Sequence, residues 1–143
     1  MRRDQGIRFL AKEVPDAFRD KSRLRSWLTA VARDHGTRVD GITYVLLSDK
    51  GLHHYNVTFL RHDEFTDVIT FPAESNNGLA GDVLISLDRV KENARAFGAT
   101  PQHELRRVMV HGLLHLCGHA DRTRQQKAAM RAMEDRYLER WGM

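Results

Sequence analysis

Hydrophobic positions change period several times along the 143 residues, and each change predicts an element. "GIRFLA" (6–11) alternates weakly and predicts a short strand. From Lys21 to His35 apolar residues recur at Leu24, Trp27, Leu28, Val31 and Ala32, the spacing of an amphipathic helix, and Gly36 follows as a stop. "GITYVLLS" (41–48) is a β-rich apolar run, after which Ser48 and Asp49 can cap a helix over 49–60. "TDVITFP" (66–72) predicts another strand, closed by Pro72, which cannot continue a central ladder. The turn chemistry of "SNNG" (75–78) separates it from a further strand, "GDVLISL" (81–87).

Beyond this point the pattern is helical. A helical segment covers 88–97, and Thr100-Pro101 opens another helix, with threonine as cap and proline in the first turn. Its apolar positions, Leu105, Val108, Met109, Leu113 and Leu116 on one face and Val110 and Leu114 on another, predict a central, buried helix that ends at Gly118. A last helix over 123–140 carries the stripe Met130, Met133, Tyr137 and Trp141. A βαβ-like start followed by helices predicts an α+β fold, a small mixed sheet packed with helices. No repeat, linker or low-complexity tract interrupts the chain, so one domain over 1–143 is expected.

Composition narrows the class. Hydrophobic content of 41% and charged content of 29% fit an ordinary globular protein, and no apolar run is long enough to span a membrane. A single cysteine, Cys117, excludes an internal disulfide and a thiolate-rich zinc cluster, and with no signal-like segment after Met1 a cytoplasmic location is expected. Its own reading is a small packing residue. The net charge of +4 alone requires only a solvated cationic surface. Clustering adds to this: Arg124, Lys127 and Arg131 share a helical face, and Arg19, Lys21, Arg23 and Arg25 crowd a short stretch. A basic face beside a metal cleft suits a polyphosphate substrate.

The candidate chemistry lies in "VMVHGLLHLCGHADRT" (108–123), which holds three of the eight histidines. His111 and His115 are one helical turn apart and can aim at one ion, whereas two buried imidazoles without partners would be costly. Gly118 breaks the helix, so the chain can turn back toward them. His119 is only one residue past the break, while Asp121 has the slack to curl under the ion, giving an H-x3-H-x5-D cleft of zincin type. Asp121 stands where metzincin proteases place a third histidine; a carboxylate is an acceptable zinc donor, although its charge makes a bound water less acidic. Zinc is expected because imidazole suits it, as it also suits nickel and copper. Proteolysis is disfavoured, because the glutamate of H-E-x-x-H, which serves as general base, is replaced by Gly112. Glu104 lies on the same stripe as His111 but two turns away, and no side chain nearby is assigned as the base.

These residues resemble the single-domain YbeY-type endoribonucleases, bacterial rRNA maturation factors. The family signature H-G-x-L-H-L-x-G-Y-D-H is similar to "HGLLHLCGHAD", matching His111, Gly112, Leu114, His115, Leu116 and Gly118. The family's N-x-x-Y-R-x-x-D-x-x-T-D-V-L-S-F-P is similar to "NVTFLRHDEFTDVITFP" (56–72), and L-G-D-I-x-I-S to "AGDVLIS" (80–86). The resemblance covers about 42–138 and implies a zinc-dependent hydrolase that cleaves single-stranded RNA. It further implies action in 16S rRNA 3′-end maturation and ribosome quality control, with rRNA and the ribosome as partners. His111 and His115 match two family metal histidines, the third falls on Asp121, and the family's tyrosine falls on His119. The family arginine that assists the chemistry falls on Leu60. Arg61, one residue later, or Arg124 then becomes the candidate phosphate contact, although one residue on a helix turns a side chain by about 100°. Asp63 and Asp67 can orient the upstream segment or act as turn and cap residues. The competing reading is a ribosome-associated assembly factor with a mainly structural metal. Structural zinc usually has four protein ligands, and only three fit the spacing, which favours an open, catalytic position.

Overall fold

The computed structural model describes residues 6–142. Their order is β1 (Ile7–Ala11), α1 (Lys21–Asp34), β2 (Val39–Leu47), α2 (Asp49–Leu60), β3 (Val68–Ala73), β4 (Leu79–Ser86), α3 (Leu87–Phe97), α4 (Pro101–Leu116) and α5 (Arg124–Trp141). The strands form one sheet in the order β1-β2-β4-β3, with β1, β2 and β4 parallel and β3 antiparallel to β4. This is the α+β arrangement with a mixed sheet that the pattern predicts.

Strand ends differ from the sequence reading for a reason. β2 starts at Val39 rather than Gly41, and β4 at Leu79 rather than Gly81, because the two strands pair from Val39↔Leu79 onward. β3 begins at Val68, leaving Thr66 and Asp67 in the approach to the strand. A strand's limits depend on its neighbour's reach as well as on its own residues. Pro72 lies within β3, where an edge position tolerates its missing N–H. The predicted caps are formed: Gly51 N donates to Ser48 Oγ at 3.0 Å, and His103 N to Thr100 Oγ1 at 3.1 Å. At α5, Thr123 and Gln126 form a reciprocal capping box.

The sheet's two faces are covered unequally. Ile42, Tyr44 and Leu46 of β2, with Val83 and Ile85 of β4, join residues of α1, α4 and α5 in the main core. The alternate positions Leu47, Leu84 and Ile69 form a smaller cluster with Leu52 of α2. α4 is buried over most of its length, from Glu104 to Leu114, as its apolar faces predict. The Tyr44 hydroxyl, fully buried, donates to the Met109 carbonyl at 3.0 Å and ties α4 to the sheet.

Gly112 determines how closely α4 approaches that sheet. A Cβ there would lie 2.6 Å from one Val83 methyl and 3.2 Å from the other, and Val83 is itself fully buried. The missing side chain is therefore a packing requirement, and a zincin-type glutamate has no room at this position. Gly112→Ala is expected to destabilise the protein by about 1–3 kcal/mol in denaturant unfolding. In a Val83→Ala background the same change should cost less by about 1 kcal/mol or more, because the two sites share one contact. Equal costs in both backgrounds would contradict the contact.

Candidate metal centre

α4 places His111 and His115 one turn apart, and Gly118, at φ +104°, turns the chain after α4 ends. The segment that follows returns Asp121 to the two imidazoles. His115 Nε2 lies 3.0 Å from His111 Nε2, and Asp121 Oδ2 lies 3.4 Å from His111 Nε2 and 3.3 Å from His115 Nε2. Donor atoms around a tetrahedral zinc at about 2.0–2.1 Å stand about 3.3–3.4 Å apart. The three donors thus fit an ion with a few tenths of an ångström of adjustment between the imidazoles. Among the described residues this is the one group of three potential ligands so convergent.

His111 is held from behind. His111 Nδ1 donates to Glu134 Oε2 at 2.6 Å, leaving Nε2 with its lone pair toward Asp121, the orientation a metal-binding histidine requires. Glu134 is buried, and its other oxygen accepts from Arg107 Nη1 at 3.0 Å. Arg107 Nη2 in turn donates to Asp135 at 2.7 Å. Burial disfavours the charged form of His111, but Glu134, with Asp121, more than offsets this and raises its pKa. A pocket that stabilises a proton on imidazole also stabilises a cation among the same donors. Burial, against the pull of Arg107, pushes the buried Glu104 carboxyl upward.

His119 does not join the three ligands. Its Nε2 meets His35 Nε2 at 2.9 Å, and His35 Nδ1 donates to the Val31 carbonyl at 2.9 Å. Cys117 is half-buried, and burial pushes its thiol up to about 11, against a role as thiolate ligand or nucleophile.

The centre lies in a cleft of about 560 Å³ between β3, α3, α4 and α5. Asp67 and Thr70 line one side, and Lys127 and Arg131 of α5 line another. Among the described residues neither Lys127 nor Arg131 forms an ion pair. Arg61 and Arg124 lie outside the residues that line the cleft, both exposed. Arg61 is the left-handed C-cap of α2 (φ +58°), and His62 N donates to the Asn56 carbonyl at 3.1 Å, so the helix ends before it. Arg124 opens α5 one turn before Lys127. Asp63 accepts from His53 Nε2 at 2.9 Å, away from the cleft lining.

Sequence reasoning did not single out Glu134 or Arg107 as parts of the site. A signal for Glu134 was present: it stands four residues after Met130, on the apolar stripe of α5, where an unpartnered carboxylate would be expensive. Arg107 gave no comparable signal, because the carboxylates it hydrogen-bonds, Glu134 and Asp135, belong to another helix.

Comparison with known proteins bears on the chain as a whole. The family model described as endoribonuclease YbeY matches residues 10–142. A protein named endoribonuclease YbeY from Cytophaga hutchinsonii is 39% identical over 137 residues, covering 95% of this chain and 96% of its own. Its namesake from Parabacteroides distasonis is 36% identical over 132 residues, covering 92% and 93%. The solution structure of a Thermotoga maritima protein superposes with a TM-score of 0.64 at 26% identity, covering 94% of this chain and 88% of the other. Sequence match along nearly the whole described chain and a shared fold lead to one conclusion: this chain belongs to the endoribonuclease YbeY family.

Proposed function

We propose that this protein is a zinc-dependent endoribonuclease that cleaves single-stranded RNA. We assign it to the maturation of 16S rRNA 3′ ends and ribosome quality control in the cytoplasm, with the ribosome as partner. The observation that carries this reading is the convergence of His111, His115 and Asp121 at tetrahedral spacing inside a cleft that also presents Lys127 and Arg131. When bound, zinc supplies a Lewis acid for a phosphoryl oxygen and lowers the pKa of a water molecule.

The chain's own residues do the rest. Glu134 holds His111 in the tautomer that leaves Nε2 free, and Arg107 neutralises the buried Glu134. Lys127 and Arg131 bind the phosphates next to the scissile bond, and Arg61 and Arg124 contact phosphates farther along the strand. Three protein donors leave a coordination position open, which supports a catalytic over a purely structural ion. A fourth donor from His119 would favour the assembly-factor reading, but that imidazole is engaged by His35.

Wild-type protein is expected to hold about one equivalent of zinc and to cleave a single-stranded 16S 3′ precursor fragment only when loaded. His115→Ala and Asp121→Ala should lose metal content and cleavage together. Full loading without metal-dependent cleavage would contradict the enzymatic reading. Glu134→Gln should weaken zinc affinity about tenfold, read by competition with a chromophoric chelator, because the hydrogen bond that orients His111 is no longer to a charge. Lys127→Ala should lower RNA affinity for all sequences alike and reduce the slope of log K against log salt by about 0.7. An unchanged slope would remove Lys127 from the phosphate contacts.

A further inference from the structure

The metal cleft has a second chemical character on the side formed by α3. Phe97 is the last residue of that helix and lines the cleft, yet 60% of its surface is exposed. A phenylalanine so placed contributes little to the core, and it is absent from both apolar clusters. Its position is nevertheless well defined. Gly98 caps the helix in the left-handed region (φ +68°), Ala99 N donates to the Ala94 carbonyl at 2.9 Å, and Pro101 starts α4 directly afterwards. A helix end tied in this way sets the ring before any ligand arrives.

The surroundings of the ring are also distinctive. The guanidinium of Arg131, 5.4 Å from the ring centroid, stacks over Phe97 from α5. Asn93, one turn earlier on α3, lines the same cleft and offers an amide donor and acceptor. Lys127 lies one turn before Arg131 on the other wall. A flat exposed aromatic ring, a guanidinium above it that forms no ion pair among the described residues, and an amide beside it match one ligand class: a nucleobase with its adjoining phosphate. Aromatic stacking accepts any base, and Arg131 and Lys127 complement the charge of the phosphates. An aliphatic or acidic ligand would use only part of this set.

We infer that Phe97 and Arg131 form a base-stacking subsite, which seats an unpaired nucleotide of the RNA beside the one cut at the metal, while Asn93 meets the edge of its base. This rests on the RNA-cleaving reading and adds to it a reason for single-strand preference. A base held in a duplex cannot leave its stack to lie on Phe97 without the cost of unpairing.

The test uses zinc-loaded protein and a short single-stranded oligoribonucleotide with a phosphorothioate backbone that slows cleavage, with binding read by fluorescence anisotropy. Phe97→Ala should weaken binding about tenfold, and Phe97→Trp should retain it. Phe97→Leu, which keeps apolar bulk without a ring face, should resemble Phe97→Ala. A series of oligonucleotides with one abasic position each should show one position at which wild type loses about the same factor. There Phe97→Ala should add nothing further. If wild type binds RNA and Phe97→Ala or Phe97→Leu binds within about twofold of it, the subsite is wrong and the RNA reading stands. If zinc-loaded wild type does not bind single-stranded RNA at all, both fall.

Discussion

The contact between Gly112 of α4 and Val83 of β4 is the constraint on which the site's geometry depends. With a Cβ position 2.6 Å from a valine methyl, the helix lies as near the sheet as a residue without a side chain permits. His111 is adjacent to that contact and His115 one turn beyond it, so the depth of α4 sets the depth of both imidazoles. The same approach brings Thr70 and Asp67 of the β3 segment to the cleft opposite them. Gly112 thus has two consequences from one atom's absence: it fixes the packing and removes the side chain that a zincin protease would use as base.

Electrostatics then divide the cleft. At its floor, against the effect of burial, Glu134 and Asp121 favour positive charge at His111, so its pKa is raised. Arg107 keeps Glu134 from being a buried, uncompensated anion, since its guanidinium bridges Glu134 and Asp135. On the α5 wall, Lys127 and Arg131 line the cleft without an ion pair among the described residues. A cation-holding floor beside a cationic wall suits the proposed phosphodiester substrate: His111, His115 and Asp121 would hold the ion, and Lys127 and Arg131 would attract the neighbouring phosphates.

Much of this was legible in the sequence wherever the chemistry is local. The four-residue spacing of His111 and His115, the break at Gly118 and the slack before Asp121 are chain-geometry facts, and the structure brings these three side chains together. The sheet was also legible, because short β-rich apolar runs bounded by turn residues mark the strands, although β2 and β4 extend farther than their own residues indicate. What depends on docking between elements was hidden. Arg124, Lys127 and Arg131 share a face by spacing, yet only the last two line the cleft, because Arg124 stands at the first residue of α5 beyond it. Arg61 was selected by its closeness to Leu60 in the chain, whereas the left-handed end of α2 places it outside that lining. Glu134, Arg107 and Phe97 acquire their roles only through partners on other helices.

In the proposed centre, His111, His115 and Asp121 alone supply the protein donors to one ion. X-ray absorption on the zinc-loaded protein tests it most directly. Two imidazole nitrogens and oxygen donors at about 2.0–2.1 Å, with no sulfur shell, are expected. A third imidazole, or a thiolate at about 2.3 Å from Cys117, would contradict it.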